Sequence, residues 1–217
     1  MKPSDAPAVA RILRMEFLAN PAPVVDFLAA QQASPFKILV ATILSARTRD
    51  DTTALVIRER LFPKVSCMDD LRRITEDELA QLIRPVGFFR EKARHLKALP
   101  DAVDSQFGGR IPDTVEELCA LPGVGRKTAN LVVAQAFGKP AVCVDVHVHR
   151  ICNRLGLVAT RTPFETETAL RQVLPVRLWR EWNGSLVSFG QRCCTPRNPK
   201  CDGCPVARYC SRIGVAP

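Results

Sequence analysis

Long apolar runs are missing from this 217-residue chain. The longest, such as Leu131 to Ala134, fall far short of the roughly 20 apolar residues that a bilayer-crossing helix needs. No membrane partner is therefore expected. A secretion signal is missing too: Met1 to Ala10 carries one lysine and then Asp5, with no apolar core behind them. The expectation is an intracellular protein. No segment repeats at a period of about 20–50 residues, which argues against a solenoid, and no low-complexity linker divides the chain. Alternating β-branched patterns are scarce, so half-buried strands are not expected. Acidic residues are in the minority, 22 against 31 basic ones, giving a formal charge of +9. Such an excess suits a polyanionic partner, of which nucleic acid is the commonest; the plainer alternative is a well-solvated basic surface. Most of the positive charge is arginine, whose planar fork suits phosphate.

What is present reads as helix. At 47% hydrophobic residues the chain can bury a core as one domain or two small lobes. Pro23 to Ala30, Lys37 to Leu44 and Asp50 to Leu61 carry apolar residues three and four apart. Turn signals separate such segments: Asn20-Pro21, Ser34-Pro35, Phe62-Pro63, Arg84-Pro85, Phe107-Gly108-Gly109, Pro122-Gly123 and Gly138-Lys139-Pro140. Thr75 with Glu78, and Thr114 with Glu117, have capping-box spacing and should each open a short helix. The pattern predicts an all-α protein of about ten short helices with a cysteine-rich tail.

The most informative stretch is Leu121-Pro122-Gly123-Val124-Gly125-Arg126-Lys127-Thr128-Ala129. One helix should end near Leu121 and another begin near Arg126, with the two glycines freeing the backbone for a tight turn. Unpaired N–H groups at such a helix start bind phosphate well, and glycine lets a nucleic-acid backbone approach. The pattern has the form of a helix–hairpin–helix motif; a simple αα-turn is the alternative. Eighteen residues past Lys127, Asp145 stands where a helix N-cap would stand, ahead of Val146, His147 and Val148. A carboxylate there is kept ionised by the helix end. Taken alone, Asp145 is better read as a cap than as a catalytic group.

Nine cysteines are distributed unevenly. Cys67, Cys119, Cys143 and Cys152 lie among apolar neighbours and read as ordinary buried thiols. Cys194, Cys201, Cys204 and Cys210 have the spacing C-x6-C-x2-C-x5-C. Four thiolates hold either a [4Fe–4S] cluster or a tetrahedral zinc ion. Zinc ribbons usually use two close pairs, and this tail has one, so the spacing leans towards the cluster. Cys193 reads as a spare thiol or an alternative ligand. Arg197 and Lys200 lie between the first two ligands, as phosphate contacts or as solvated charge.

Hairpin, lysine, downstream aspartate and cysteine tail together resemble the endonuclease III family of helix–hairpin–helix–Gly/Pro–Asp DNA glycosylases. Leu44-Ser45-Ala46, Val86-Gly87-Phe88, Leu121 to Asn130, Val144 to Leu157 and the tail carry the likeness over most of the chain. The resemblance implies two helical lobes with a DNA-binding cleft between them. One lobe, of six helices, spans about 28–139 and holds the hairpin; the other joins 1–27 to 140–217 and holds a C-terminal [4Fe–4S] cluster. It implies Lys127 as nucleophile at the sugar C1′, which requires a neutral amine, and Asp145 as its partner, stabilising the oxocarbenium-like charge. It places Ser45, Arg47, Phe88, Gly123, Val124, Gly125, Arg126, His147, Arg197 and Lys200 against DNA. The implied partner is duplex DNA with a damaged base or abasic site, and the implied protein a monomer of a bacterial or archaeal cytosol, associated with the nucleoid.

The sequence departs from the family at three places. Arg47 stands where glutamine is common, Val146 where threonine or serine follows the aspartate, and Phe89 where tyrosine is common. Arginine donates to a guanine edge but accepts nothing, which bears on the base opposite the lesion. Phe88 falls where relatives wedge an apolar side chain into the duplex, with core packing as the competing role. Oxidised pyrimidines are the family's default substrate. Rival readings are a mismatch glycosylase for thymine or uracil opposite guanine, a non-catalytic iron–sulfur DNA-binding protein, and a zinc-ribbon DNA binder.

Overall fold

The computed structural model describes residues 1–19 and 23–215; the expected turn at Asn20-Pro21 falls outside them. The described residues form twelve α-helices, three short 3-10 turns, one π-helical turn over Ile57–Leu61 and no strand. None of these helices is long and apolar enough to cross a membrane. The chain divides into two compact units, Val24–Lys139 and a second formed by Met1–Pro23 with Pro140–Pro217.

The unit Val24–Lys139 contains α2 (Val24–Ala30), α3 (Pro35–Ser45), α4 (Asp50–Val56), α5 (Met68–Arg73), α6 (Glu76–Leu82), α7 (Phe89–Phe107), α8 (Val115–Leu118) and α9 (Arg126–Ala136). Eight helices form where six are expected, because α5 and α8 are only six and four residues long. At the centre is α3. Pro35 opens it and the Ser34 hydroxyl accepts from the Lys37 N–H. From Ile38 to Leu44 every residue is buried, the all-round apolarity of a core helix, and α9 packs along it. One capping box forms in full, Thr75 and Glu78 bonding reciprocally at the start of α6. At α8 the Thr114 hydroxyl accepts from the Glu117 N–H but donates to the Glu117 carboxylate, so Thr114 caps without the reciprocal backbone bond. The longest helix, α7, packs against α5 and α6 and stops where Gly108 turns left-handed at φ 59°.

The other unit is built round α12 (Trp179–Arg192), which packs against α1 (Ala6–Leu18) and α10 (Val146–Leu155); α11 (Pro163–Val173) lies on α10. Val9 and Leu13 of α1, Val148, Ile151 and Leu155 of α10, and Trp182, Leu186 and Phe189 of α12 form its core. Each such side chain stabilises the unit by about 1.5–3 kcal/mol relative to exposure. Gly190 makes the close fit of α10 on α12 possible: a β-carbon there would stand 2.6 Å from His147 Nδ1 and 3.0 Å from both Arg150 Nη2 and Ile151 Cδ1.

Of the four cysteines expected inside the protein, Cys143 and Cys152 are buried, but Cys67 and Cys119 are exposed. Both sit at helix ends, which face solvent. The Cys67 thiol lies 3.4 Å from Asp70 Oδ2 at the start of α5, and Cys119 closes α8. Apolar sequence neighbours do not bury a residue at a cap.

Candidate active site

The hairpin runs from the end of α8 at Leu118 to the start of α9 at Arg126. Only one of its glycines needs to be glycine for backbone reasons. Gly123 has φ 75°, and a β-carbon on it would stand 2.9 Å from His95 Nδ1. Gly125 is the extended N-cap of α9 at φ −91°, and a β-carbon there would meet nothing within 4 Å. Its bare backbone therefore faces open space, which is what close approach of a phosphate requires. Val124 is turned inward at 6% exposure, and its N–H donates to Leu121 O at 3.2 Å. What it offers a ligand is the backbone shape of the turn and not its side chain. Arg126 is exposed and Lys127 half-buried in the first turn of α9.

In the same unit the loop after α3 meets the loop before α7. The Ser45 hydroxyl donates to Thr42 O at 3.0 Å and closes the last turn of α3. Arg47 and Phe88 both hold the left-handed backbone conformation, at φ 55° and 57°, without being glycine. The Arg47 guanidinium lies over the Phe88 ring, 4.5 Å from its centre, and both side chains are exposed. Phe88 is 54% exposed, so it does not pack in the core. Phe89, the first residue of α7, has the Arg90 guanidinium 5.4 Å from its ring centre.

Beneath that pair is a lysine that sequence reading passed over. The Lys92 ammonium, on a residue 7% exposed, donates to Leu44 O at 2.8 Å, Ala46 O at 2.5 Å and Thr48 Oγ1 at 3.2 Å. Burial pushes its pKa down to about 8, with the Glu91 carboxylate pulling the other way. A signal was available: Lys92 continues the stripe of Leu96, Leu99 and Val103 on α7, all buried. A charge on an apolar stripe needs partners.

In the unit built on α12, Asp145 caps α10. One carboxylate oxygen accepts from the His147 and Val148 N–H groups, each at 2.9 Å, so the charge is fixed at the positive end of the helix. His147 is half-buried, with Nδ1 3.2 Å from Arg150 Nη2. Val146 is 68% exposed and offers no hydroxyl.

The far side of α10 is tied to the cysteine tail. Arg150 donates to Cys194 O at 2.9 Å and Gly190 O at 3.2 Å. Arg154 donates to Thr195 O at 2.6 Å, Pro196 O at 2.7 Å and Cys194 Sγ at 3.4 Å. Cys194, Cys204 and Cys210 pack against the core of this unit. The Cys210 thiol is pushed up by burial, against a lowering hydrogen bond from the Arg212 N–H, with Cys194, Cys204 and Cys201 adding to the rise. Cys193 rises to about 12, by burial and then through Cys204. Among the described residues no three His, Cys, Asp or Glu side chains are arranged to hold a single metal ion. Four thiolates, Cys194, Cys201, Cys204 and Cys210, are a donor set of the kind that holds an iron–sulfur cluster. Arg197 and Lys200 are exposed on the loop between the first two cysteines.

Two segments of this frame match known families. Residues 40–176 match the HhH-GPD superfamily base excision DNA repair protein family, and residues 194–210 match the iron-sulfur binding domain of endonuclease III. The fold and the hairpin thus define a DNA-repair protein of the base-excising class. Within that class the chain is 46% identical over 180 residues to endonuclease III of Thermotoga maritima, covering 83% of this chain and 84% of that one. Among solved structures it resembles a trapped endonuclease III–DNA covalent intermediate, with TM-score 0.77 and 37% identity over 82% of this chain and 84% of that one. It also resembles a thermostable thymine-DNA glycosylase, with TM-score 0.81 and 27% identity over 96% of each chain. The chain belongs to the endonuclease III family. It is a DNA glycosylase and abasic-site lyase of base excision repair, it binds DNA, and it carries a [4Fe–4S] cluster.

Proposed function

We propose that this glycosylase removes oxidised pyrimidines from duplex DNA, with Lys127 as nucleophile and Asp145 as the carboxylate that supports it. The observation that carries the reading is the fixed carboxylate of Asp145, held by two backbone N–H groups at the start of α10. In the chemistry proposed, the neutral Lys127 amine attacks C1′ and the bond to the base breaks. The base leaves with the bonding electrons and takes up a proton. Loss of the amine proton and opening of the sugar ring give a Schiff base. Abstraction of a C2′ proton then expels the 3′ phosphate by β-elimination, which cuts the strand. Asp145 stabilises the cationic sugar as the base departs. A covalent enzyme–DNA intermediate has been trapped in the related endonuclease III structure, which supports a lysine adduct here.

The remaining roles follow from position. Gly123, Gly125 and Arg126 would receive the DNA backbone at the hairpin, with Val124 shaping the turn. Ser45, Arg47 and Phe88 would meet the duplex, Phe88 as the apolar wedge and Arg47 filling the space left by the extruded nucleotide. His147, Arg197 and Lys200 would contact phosphate. Cys194, Cys201, Cys204 and Cys210 would ligate the cluster, which when bound fixes the loop carrying Arg197 and Lys200. We place the protein in a bacterial or archaeal cytosol, acting as a monomer.

Borohydride trapping on a duplex carrying thymine glycol tests this. A covalent band with the wild type, lost in Lys127→Ala and weakened in Asp145→Asn, is expected. Tight binding of the same duplex without a band would remove the reading. A second reading, excision of thymine or uracil opposite guanine, is favoured by Arg47, which donates to a guanine edge, and by the likeness to the thymine-DNA glycosylase. Excision from mismatched duplexes but not from thymine glycol would select it.

A further inference from the structure

Two non-glycine residues in the left-handed region, side by side and exposed, form an arrangement that a chain does not keep unaided. Each is strained and persists only where its surroundings over-determine it. Lys92 joins the two segments concerned. Its backbone N–H donates to Phe88 O at 3.0 Å, closing the first turn of α7 and fixing the residue that carries the ring. Its ammonium spends three hydrogen bonds on Leu44 O, Ala46 O and Thr48 Oγ1, which bracket Arg47 on both sides.

A second tie reinforces the first. Thr48 Oγ1 also accepts from the Gly87 N–H at 3.2 Å. A β-carbon on Gly87 would stand 2.9 Å from Arg47 O, so only glycine lets the loops approach this closely. Lys92, Thr48 and Gly87 thus form a clasp with the stacked Arg47 and Phe88 on its outer side.

We propose that Lys92 is a positioning residue for opening the duplex: it clasps the loop after α3 to the start of α7, so that Arg47 and Phe88 meet DNA as one preformed stacked unit. This rests on the roles proposed above for Arg47 and Phe88. A preformed wedge does not have to be ordered when DNA binds, and misplacement of a positioning element by about 1 Å can cost a hundredfold in rate. Its contribution falls on duplex substrates alone, because single-stranded DNA has no stack to open and no opposite base to meet.

The experiment compares cluster-loaded wild type, Lys92→Met and Thr48→Val. Thr48→Val keeps the buried lysine and removes the shared acceptor, with the hydroxyl's own 3.4 Å bond to Ala46 O, so it reports even if Lys92→Met does not fold. Borohydride trapping is measured on an abasic site in single-stranded DNA and in four duplexes differing in the opposite base. Hydrogen exchange is followed over residues 44–48 and 86–89. The expected result is faster exchange in both segments, a loss of roughly tenfold or more in duplex trapping rate, and a flatter dependence on the opposite base. Single-strand trapping should stay within about twofold of wild type. Equal losses on both substrates would make Lys92 a mere stability residue and overturn the role. So would faster exchange with duplex rates unchanged. If wild type traps neither substrate, the nucleophile reading fails and this role with it; the exchange data separate that result from an intact clasp.

Discussion

Asp145 is both a structural cap and the proposed catalytic carboxylate, and two substitutions separate these roles. Asparagine caps a helix about as well as aspartate, whereas alanine in its place costs about 0.5–2 kcal/mol. Asp145→Asn should therefore melt within a degree or two of wild type while excision falls steeply. Asp145→Ala should lose both stability and excision. Thermal melting paired with an excision assay reads this, and full activity in Asp145→Asn would reduce Asp145 to a cap. The two cations buried on helices differ from this carboxylate in what holds them. Lys92 and Arg154 are satisfied mainly by carbonyl oxygens rather than by carboxylates. Among the described residues no buried side-chain nitrogen or oxygen lacks a partner. Ion pairs on the surface, such as Arg49 with Asp51, contribute little by comparison.

At the scale of elements, α10 links two tasks. Its first residue follows Asp145, and its later turns hold the cysteine tail through Arg150 and Arg154. Gly190 on α12 sets how closely this helix can pack. Gly190→Ala is expected to displace His147 and Arg150, to destabilise the protein by about 1–3 kcal/mol as overpacking does, and to lower excision with it. Melting temperature and trapping rate would fall together. A stable variant with wild-type rate would show that the side chains of α10 give way without moving Asp145. In the other unit α7 plays a comparable part, with Lys92 capping the end of α3 and Lys97 donating to Leu71 O, Arg72 O and Ile74 O at the end of α5. Each lysine places a cation at the negative end of a helix.

For the molecule as a whole, the formal charge of +9 makes DNA affinity a function of salt. The logarithm of the binding constant should fall linearly with the logarithm of salt concentration, by about 0.9 for each phosphate neutralised. Replacing Arg197 and Lys200 together by alanine should flatten that slope by about 2 if both meet phosphate. Fluorescence anisotropy across a salt series measures it. An unchanged slope would return both side chains to the solvated surface.

Much of this protein was legible in the sequence, and the legible part is local. Helix class follows from apolar spacing, the starts of α6, α8 and α10 from Thr75, Thr114 and Asp145 as caps, and the turn at Gly123 from its need for positive φ. The four-cysteine spacing likewise lies within one short segment. These features depend on residues a few positions apart, whose interactions are set by backbone geometry alone. Tertiary structure decided the rest. It exposed Cys67 and Cys119, turned Val124 inward, and laid Arg47 on Phe88, 41 residues along the chain. It gave Lys92 acceptors 44 to 48 residues away. Such partners are chosen by which helices pack together, and that is a property of the whole core rather than of any segment in it.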